Sequence, residues 1–445
     1  MFHKILIANR GEIALRLVRA CRELGVRSIV AHSEPDRDSL PVRMADEAIC
    51  IGPASCAQSY LNIPNVVSAA LVTDCDAIHP GYGFLAENPY MAEICETYGL
   101  TFIGPPSSVL AEMSNKAQAR CRMRNAGLPV LPGSDGPVTS LSQARDIANV
   151  IGYPVLLKAA NGGGGKGMRV AASDGDISVQ YDVAQSEAEG AFGRSELYVE
   201  KYLPGARHIE VQVLADSMGK VIHLGERECS LQRRHQKILE EAPSPAVSDQ
   251  LRVRLGHAAV TGARAIRYQG AGTLEFLLDD HGSYFFIEMN MRIQVEHPVT
   301  EMITGVDIAK WQIRVAAGEP LTLVQDDVMM NGHAIECRIN AEDPERGFLP
   351  DIGTVLEYLP CGGPGIRVDS HLRPGYRLSP EYDSLVAKVI AWGENREESI
   401  ARMERALTEM LITGVKTTLP FHRHLLQNVA FRRGCTNINL VESHL

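Results

Sequence analysis

The sequence predicts an α/β protein of the mixed α+β kind, and two patterns carry that prediction. Residues 1–114 alternate short apolar segments with amphipathic helical stretches, an order typical of a parallel sheet covered by helices. Further along, 208–214 and 220–227 have the pattern of long antiparallel strands. At 445 residues the chain is long enough for two or three domains.

The N-terminal part is predicted as strand–helix repeats. The strands are 5–8, 28–32, 77–79 and 101–103, and the helices are 12–24, 65–71 and 90–98. The turn after the first strand reads Asn9-Arg10-Gly11-Glu12 and lacks the G-x-G-x-x-G pattern. This argues against a nicotinamide cofactor in this domain.

Beyond residue 114 the pattern predicts helices and strands in mixed order. The helices are 115–127, 306–317 and 396–411, and the further strands include 154–158, 333–341, 353–358 and 385–391. Neither an internal repeat nor a low-complexity tail is visible. A single elaborated enzyme-sized chain is therefore expected, rather than a repeat protein.

Composition limits the function. Apolar residues make up 45% of the chain and charged residues 22%, as in an ordinary globular protein. The net charge of −10 argues against nucleic-acid binding. No apolar run approaches the ~20 residues that a membrane span needs. Ten cysteines lie scattered without a C-x-x-C pair, and the first residues form a strand rather than a targeting leader, so we expect reduced thiols and a cytoplasmic location.

The stretch from Gly272 to His297 concentrates most of the polar chemistry. It has the pattern of a hairpin whose strands, 273–278 and 284–287, flank a two- or four-residue turn centred on residues 281 and 282. Alternate residues of a strand share a face. From 287 to 296 the odd-numbered residues are apolar, and the even-numbered ones are Glu288, Asn290, Arg292, Gln294 and Glu296.

The predicted turn places Glu275 opposite Glu288. Facing carboxylates repel each other unless a hard cation lies between them. The alternative is a solvated face with an ordinary ion pair, but an unneeded carboxylate pair would be costly beside two buried strands. The pattern therefore predicts a divalent-metal site, with Arg292 and Glu296 close by.

Four consecutive glycines occupy 162–165, after the predicted strand 154–158. Glycine lets the backbone approach a ligand closely and aim N–H groups at phosphate oxygens. A Walker A loop is excluded, because Ala160 stands where its first glycine is required and Gly167 where Ser or Thr is required. A surface linker is the alternative, although linkers rarely separate two strands so closely.

Other polar segments are weaker signals. Lys116 and Lys158 could bring positive charge to phosphates, yet lone lysines usually lie at the surface. Segment 229–237 is by default a solvated basic turn. It binds anions only if it faces the same cleft as Glu288 and Arg292. Segment 79–88 is by default a capped turn, although ligands bind where parallel strands end. His422 and His424 have no cysteine partners and are expected at the surface.

Five motifs follow one another along the chain. They are Ala8-Asn-Arg-Gly-Glu-Ile-Ala14, His79-Pro-Gly-Tyr-Gly-Phe-Leu-Ala-Glu-Asn88, the four glycines, Gln232-Arg-Arg-His-Gln-Lys237 and Glu288-Met-Asn-Met-Arg-Ile-Gln-Val-Glu-His-Pro-Val-Thr-Glu301. In this order they resemble the biotin carboxylase subunit of acetyl-CoA carboxylase, from about residue 2 to about residue 441. The resemblance implies an ATP-grasp fold. Its parts are an N-terminal Rossmann-like domain (1–114), an ATP-grasp domain (115–330) with a mobile glycine-rich lid (about 131–203) and a C-terminal biotin carboxylase domain (331–445).

The resemblance also implies roles for individual residues. Catalysis is implied for Glu296 as general base, for Arg338 as the stabiliser of negative charge on biotin, and for Arg292 and Lys237. Bicarbonate binding is implied for Lys237, Arg292, Gln294, the backbone of Val295, and Glu296. Biotin binding is implied for Tyr82, Gly83 and Arg338, and binding of Mg²⁺ or Mn²⁺ for Glu275, Glu288 and Asn290. ATP binding is implied for Lys116, Lys158, Gly162, Gly163, Gly164, Gly165, Glu200, Lys201, Leu203, His208, Gln232, His235, Glu275 and Glu288.

Three residues depart from the family pattern. Asn161 stands where the family usually has glycine, Lys166 replaces a common arginine, and Met291 replaces a small residue or proline. The first two are expected to affect lid closure and nucleotide affinity. Met291 is expected to point away from the charged face and to change packing alone.

The implied reaction uses ATP, Mg²⁺ or Mn²⁺ and bicarbonate to carboxylate biotin. The chain contains no Met-Lys-Met, so the biotinylated lysine is expected on a separate biotin carboxyl carrier protein, with carboxyltransferase subunits as further partners. A homodimer is also implied, for which Arg16, Arg19 and Glu23 are candidates.

Three alternatives remain open from the sequence. One is the same subunit of another acyl-CoA or 2-oxo acid carboxylase. The second is a different ATP-grasp ligase, such as a carbamoyl-phosphate synthetase-like half or a carboxylate–amine ligase. The third is a catalytically silent scaffold, against which Lys237, Glu288 and Glu296 are all present.

Overall fold

The computed structural model describes residues 1–160 and 167–444. In the N-terminal region five parallel strands form one sheet in the order β3-β2-β1-β4-β5. The strands are β1 (Lys4–Ile7), β2 (Arg27–Ser33), β3 (Glu47–Gly52), β4 (Ala77–His79) and β5 (Thr101–Phe102). The helices are α1 (Gly11–Glu23), α2 (Leu40–Met44), α3 (Ile63–Val72), α4 (Pro89–Thr97) and α5 (Ser107–Met113). The predicted repeats are confirmed, while edge strand β3 was missed because its residues are only partly buried.

Asparagine side chains fix several helix starts. Asn62, Asn88 and Asn115 each accept a hydrogen bond from a backbone N–H of the first helical turn. Such caps satisfy donors that a helix leaves unpaired at its N-terminus. The cap at Asn115 begins α6 (Lys116–Asn125), and so sets where Lys116 enters the cleft described below.

Residues 131–160 and 167–203 form a small unit with its own three-stranded sheet, ordered β7-β6-β8. Its elements are α7 (Leu141–Ile151), β6 (Val155–Ala159), β7 (Met168–Ala171), α8 (Ile177–Phe192) and β8 (Leu197–Lys201). The apolar faces of α7 and α8 pack on this sheet around Val155, Leu157 and Tyr181. Among the described residues this core is separate from the larger cores of the chain.

An antiparallel sheet of eight strands forms the body, in the order β13-β12-β9-β10-β11-β14-β19-β18. Its first part contains β9 (Arg207–Ala215), β10 (Val221–Arg233), β11 (Gln236–Ala242), α9 (Asp249–Ala265), β12 (Gly270–Leu278), β13 (Tyr284–Asn290), α10 (His297–Thr304) and α11 (Ile308–Ala316). The predicted strands 208–214 and 220–227 are confirmed as β9 and β10, the second of which runs further than expected.

The C-terminal part completes the same sheet, because β11 pairs with β14 across the sequence position 330. Its elements are β14 (His333–Asn340), β15 (Glu342–Asp343), β16 (Leu349–Pro350), β17 (Tyr358–Leu359), β18 (Ile366–Ser370), β19 (Leu385–Gly393), α12 (Arg396–Glu409), β20 (Leu411–Ile412), α13 (Leu419–Leu426), α14 (Val429–Arg432) and α15 (Leu440–His444). The predicted strand 353–358 was wrong. That segment is irregular, with one isolated bridge at Thr354, and Leu356 is exposed.

Candidate active site

A cleft of about 850 Å³ lies where the four parts of the chain meet. Every predicted site residue within the described ranges lines it: Tyr82, Gly83, Lys116, Lys158, Glu200, Lys201, Leu203, His208, Gln232, His235, Lys237, Glu275, Glu288, Asn290, Arg292, Gln294, Val295, Glu296 and Arg338. Gly162, Gly163, Gly164 and Gly165, together with Asn161 and Lys166, lie outside the described residues.

The two predicted metal carboxylates face each other, although the turn is not the expected one. Strands β12 and β13 pair antiparallel with Glu275 opposite Glu288. Their loop spans the five residues 279–283, and that loop alone would place Glu275 opposite Ile287. The register shifts by one residue after Glu275, where Ile287 is the extra residue of a β-bulge. A bulge re-aims the side chains beside it, so Ile287 and Glu288 both line the cleft.

Strand β13 extends beyond the predicted bound of 287 and ends at Asn290, so the second half of the alternating segment 287–296 lies outside the sheet. The N–H of Met291 and the Nε–H of Arg292 both donate to the carboxylate of Glu87, at 2.8 and 3.0 Å. These bonds turn the chain out of the sheet. The alternation still holds in the irregular segment, since Met291 and Ile293 are buried while Arg292 lines the cleft.

Lys237 lies at the centre of the acidic floor of the cleft. Its ammonium group donates to Glu210 at 2.5 Å, Glu296 at 2.7 Å, Glu275 at 2.9 Å and Gln294 at 3.2 Å. Glu210 was not predicted as a site residue. Its signal was the alternation His208-x-Glu210-x-Gln212 in a strand that is otherwise apolar.

Arg227 supports this floor from below. It is fully buried, and its guanidinium donates to Glu210 at 2.5 Å, Gln212 at 2.8 Å, Thr300 at 2.9 Å and Thr273 at 3.1 Å. A buried arginine with satisfied donors holds its carboxylate in one geometry. Lys237 therefore meets a fixed acceptor in Glu210.

Glu296 lies between two cations at the start of α10. Its carboxylate accepts from Lys237 at 2.7 Å and from Arg338 Nη2 at 2.8 Å. Burial alone would raise the pKa of Glu296, but the charges of Lys237 and Arg338 hold the pKa well below its usual range. As the N-cap residue of α10, Glu296 also lies near the positive end of the helix dipole. It is therefore ionised before any ligand binds.

Arg338 is also held by Glu240, whose carboxylate accepts from Nε at 2.6 Å. Burial raises the pKa of Glu240 to about 7, against the opposing effect of Arg338. Glu240 contacts Arg338 but was not predicted, because the mixed sequence of β11 does not distinguish it from the neighbouring Glu241. A guanidinium has five N–H donors, so Arg338 can satisfy both carboxylates and still direct a donor into the cleft that it lines.

The side of the cleft that contains Lys116 and Lys158 also carries pairs of opposite charge. Lys116 donates to Glu288 at 2.7 Å, Lys158 forms an ion pair with Glu200, and His208 Nε2 lies 2.8 Å from Glu275. The charge of Lys116 lowers the pKa of Glu288. Glu275 and Glu288 thus present ionised oxygens, the donors that Mg²⁺ prefers. Asn290 donates to Glu275 at 2.8 Å, Glu288 lies opposite Glu275, and all three line the cleft, where carboxylate and amide oxygens suit a hard cation.

The turn 234–235 between β10 and β11 carries backbone strain. Arg234 and His235 have φ values of 49° and 63°, a region that favours glycine or asparagine. Such strain is common at ligand sites. The turn directs His235, Gln236 and Lys237 toward the cleft, so the anion-binding interpretation of segment 229–237 is favoured over a solvated turn.

The opposite wall is formed by the loop after β4. Gly81 has φ +63°, and a Cβ atom there would lie 2.8 Å from the side-chain nitrogen of Asn9. That nitrogen donates to the carbonyls of Pro80 and Tyr82 at 2.6 and 2.7 Å. The glycine therefore allows Asn9 to hold the loop, and Tyr82 to line the cleft.

Comparison with known proteins decides the family. Family models match the chain in three consecutive parts: Biotin carboxylase, N-terminal domain, over 1–110; Carbamoyl-phosphate synthase L chain, ATP binding domain, over 115–324; and Biotin carboxylase C-terminal domain over 336–443. Biotin carboxylase 1 of Bacillus subtilis is 54% identical over 445 residues, covering 100% of this chain and 99% of that protein. The chain belongs to the biotin carboxylase family.

Relatives of this family differ in the carboxylase that they serve. A pyruvate carboxylase subunit from Methanothermobacter thermautotrophicus is 52% identical over 444 residues, covering 100% of this chain and 90% of that protein. The biotin carboxylase domain dimer of Hydrogenobacter thermophilus 2-oxoglutarate carboxylase, solved with MgADP, ADP and bicarbonate, has 50% identity and a TM-score of 0.97. It covers 100% of this chain and 98% of that one.

Family membership confirms several predictions. The chain is a biotin carboxylase, an ATP-dependent ligase with the ATP-grasp fold, and the MgADP and bicarbonate of the solved relative agree with the expected ATP, Mg²⁺ and bicarbonate. Among the described residues, the helices are all too short or too polar to cross a membrane.

Two sequence-based expectations about single residues had opposite outcomes. Met291 is 3% exposed and packs in the largest apolar core, so its departure from the family pattern affects packing, as expected. The surface location expected for His422 was wrong. His422 is 1% exposed, and its Nε2 lies 2.7 Å from the carbonyl oxygen of Arg338, so it supports the strand that carries Arg338. Its place on the buried face of α13 depends on tertiary packing.

Proposed function

We propose that this chain carboxylates biotin on a separate biotin carboxyl carrier protein, in the first half-reaction of acetyl-CoA carboxylase in fatty acid synthesis. The geometry that carries the chemical part is the ionised Glu296 between Lys237 and Arg338. The pathway rests on relatives named biotin carboxylase at 54% and 51% identity, from Bacillus subtilis and Haemophilus influenzae. Carboxyltransferase subunits would be the further partners.

Bicarbonate would bind Lys237, Arg292, Gln294 and the N–H of Val295. Its negative charge beside Glu296 would raise the pKa of that carboxylate toward the range of a working base. Glu296 would then take the bicarbonate proton as a bicarbonate oxygen attacks the γ-phosphorus of ATP. The bond from that phosphorus to ADP breaks, and carboxyphosphate forms.

The cations on the nucleotide side would offset charge in this step. Lys116, Lys158 and His208 line the cleft next to Glu275 and Glu288, and they would surround the phosphates. Mg²⁺ held by these carboxylates would supply further neutralisation of the phosphate charge. Glu200, Lys201 and Leu203 would surround adenine, and Gln232 and His235 the ribose and phosphate end.

Carboxyphosphate would then decompose to CO₂ and phosphate, whose oxygen takes the proton from the biotin ureido nitrogen. The nitrogen lone pair attacks CO₂ and gives carboxybiotin. Arg338 would stabilise the negative charge on the ureido oxygen, since preorganised donors act where charge develops. Tyr82 and Gly83 would form the wall that receives the bicycle.

We also infer that 131–203 acts as a lid over a body made of 1–114, 115–130, 204–330 and 331–445. The separate apolar core of the described lid residues supports this division. A water-excluding lid suits a reaction whose intermediate hydrolyses readily. Gly162 to Gly165 would cover the phosphates.

A homodimer and a cytoplasmic location complete the proposal. A shallow cavity of about 410 Å³ is lined by Arg19 and Glu23, but Arg16 is already paired with Glu301 and Asp307 inside the chain. Light scattering should give twice the chain mass, and Arg19→Glu should reduce it. All ten cysteines are free thiols, which fits a reducing compartment and is checked by cell fractionation.

The chemical proposal is tested with purified chain, MgATP, bicarbonate and free biotin, with ADP and carboxybiotin measured separately. ADP should form only with bicarbonate, and carboxybiotin only when biotin is added. ADP formation that needs ammonia or another amine instead would indicate a different ATP-grasp ligase.

A second candidate is the same component of a 2-oxo acid carboxylase, favoured by the 52% identity to a pyruvate carboxylase relative. The two are separated by kcat/KM with biotinylated carrier proteins from acetyl-CoA, pyruvate and 2-oxoglutarate carboxylases. The acetyl-CoA carrier should be carboxylated fastest. A preference for either other carrier would replace the proposed pathway.

A further inference from the structure

A fully buried lysine lies beneath the segment 294–296. Lys388, in β19, is 0% exposed, and its ammonium group donates to the carbonyl oxygen of Val295 at 2.8 Å. It lies 3.1 Å from Glu12 Oε1. Burying a charge is costly unless it is paired and hydrogen-bonded. Both partners of Lys388 come from other parts of the chain: Glu12 from α1 and Val295 from the turn before α10.

The strand register argues against a role in sheet packing alone. Lys388 faces Arg338 across β14 and β19, and like charges directly opposite each other destabilise a sheet. Asp369 on the other side is 4.0 Å away and is occupied by Arg367 at 2.7 Å. An apolar residue at 388 would remove both the repulsion and the cost of burial. The charge of Lys388 is balanced by the buried acidic groups around it, Glu12, Glu336 and Asp369, and its hydrogen bond to Val295 ties this buried charge to the segment before α10.

The bond to Val295 fixes the peptide that leads into Glu296. A peptide group is planar, so anchoring the carbonyl of Val295 fixes the plane that ends at the Cα atom of Glu296. The preceding peptide is anchored as well, because His297 Nδ1 lies 2.7 Å from the carbonyl oxygen of Gln294. Both peptides that flank Val295 are thus held from outside the cleft.

Glu12 extends this contact to the opposite wall. Its Oε1 also accepts a hydrogen bond from the hydroxyl of Tyr82 at 2.6 Å. Glu12 is 3% exposed, and its Oε2 has no hydrogen-bond partner among the described residues. A continuous chain of polar contacts therefore runs from Tyr82 through Glu12 and Lys388 to Val295.

We propose that Lys388 is a positioning residue for segment 294–296, and that Glu12 and the Tyr82 hydroxyl couple the biotin-side wall to the bicarbonate-binding segment. This rests on the proposed function, which assigns bicarbonate to residues 294–296. Tyr82 would thereby affect the binding of bicarbonate without contacting that anion. Binding of biotin against Tyr82 would then tighten or loosen the segment that holds bicarbonate.

The test measures bicarbonate-dependent ATP cleavage without biotin in Lys388→Met, Lys388→Arg and Tyr82→Phe. Loss of a charge-assisted hydrogen bond predicts that Lys388→Met raises the KM for bicarbonate by about tenfold or more, while the KM for ATP changes less than about twofold. Lys388→Arg should restore part of the affinity. Lys220→Met is the matched control, because Lys220 also donates to a backbone carbonyl, that of Leu321, outside the cleft.

Tyr82→Phe keeps the result interpretable if Lys388→Met fails to fold, because it removes one hydroxyl at the cleft wall. It should raise the KM for bicarbonate about threefold or more. In the Lys388→Met background it should add nothing, since the chain of contacts is already broken.

An unchanged KM for bicarbonate in Tyr82→Phe, additive effects in the double variant, or equal losses for bicarbonate and ATP would overturn the coupling. If the unmodified chain showed no bicarbonate-dependent cleavage at all, the proposed function would fail first. Normal cleavage with normal kinetics in the variants would overturn the inference alone.

Discussion

The floor of the cleft and the small unit of residues 131–160 and 167–203, which we propose as a lid, differ in how they are built. On the floor, the buried Glu296 and the partly buried Lys237 and Arg338 are linked by hydrogen bonds to one another and to Glu210 and Glu240. Lys237 and Arg338 belong to strands of one continuous eight-stranded sheet. Each charge there has its partners before any ligand binds, so little reorganisation is needed during the reaction.

The lid has the opposite character. Its described residues form a separate three-stranded sheet and core. Among the described residues it is joined to the body by hydrogen bonds such as those from Arg120 Nη1 to the carbonyl of Ser134 and from the Lys116 N–H to the carbonyl of Ala160. A unit with few buried contacts to its neighbours opens at low free-energy cost. We infer that the charged groups of the floor need a rigid support, whereas the exclusion of water needs a segment of the chain that can move.

The largest expected effect concerns the rigid floor. Glu296→Gln should lower bicarbonate-dependent ATP cleavage by about 10²–10⁴-fold, the usual contribution of a positioned base. ATP binding, measured by calorimetry, should persist because the lost group acts on bicarbonate. Glu93→Gln, at an exposed helical site, is the matched control. Near-normal turnover in Glu296→Gln would contradict its role as base.

Arg338→Ala should separate two steps on the same floor. Loss of a donor aimed at developing negative charge costs on the order of 10²–10³-fold, and here the loss should fall on carboxybiotin formation. ADP formation should fall much less, because carboxyphosphate can still form and decompose. Equal losses of ADP formation and carboxybiotin formation would show that Arg338 acts in ATP cleavage, before the step that involves biotin.

Glu288→Gln tests the predicted metal site, which would lie between the acidic floor of the cleft and the bound nucleotide. Removing a charged oxygen from the predicted metal pair should raise the Mg²⁺ concentration for half-maximal activity by roughly 10–100-fold, as for losses around metal sites. The circular dichroism spectrum should not change, because Glu288 is only partly buried at the cleft surface. An unchanged Mg²⁺ requirement would place the metal elsewhere.

The fourth prediction concerns His422, which supports the strand that carries Arg338. Burial lowers the pKa of His422 from its ordinary value of 6.5 to about 4, so the folded chain keeps it neutral where the unfolded chain protonates it. Its contribution to stability is complete above pH 6.5 and is lost as pH falls toward 4. For one such group the loss by pH 5 is roughly 2 kcal/mol.

The check compares urea unfolding at pH 7 and pH 5 in the unmodified chain and in His422→Asn. The variant is less stable at pH 7, but its unfolding free energy should fall by roughly 2 kcal/mol less between the two pH values. Identical pH dependence would mean that His422 is protonated in the folded chain or is exposed.

The smallest effect concerns the lid. Hydrogen exchange in the described lid segments 131–160 and 167–203 should slow several-fold when MgATP is added, while β9 and β12 in the body change little. Ordering a unit that opens at low cost removes its opening motion. Equal protection with and without MgATP would indicate that these segments do not act as a lid.

Family, fold class and most cleft residues could be predicted from the sequence. Alternation of polar and apolar residues from 287 to 296 identified Glu288, Asn290, Arg292, Gln294 and Glu296 as cleft residues, although Ile287 and Val295 line the cleft as well. Periodicity is a property of the local sequence, so it can be recognised whether or not the residues form a strand. The opposition of Glu275 and Glu288 was also correct, although the expected turn length was not.

Tertiary structure decided the rest, because partners distant in sequence leave no local pattern. The bulge at Ile287 corrects the register that the five-residue loop would set. Glu87 ends β13 from another domain, 205 residues away from Arg292. Glu240 and His422 lie in elements of mixed polar and apolar sequence, and Lys388 lies in the apolar strand β19, so no local pattern marks their contacts. Their roles depend on which charges the fold brings beside them, and a buried charge is retained only where such partners meet it.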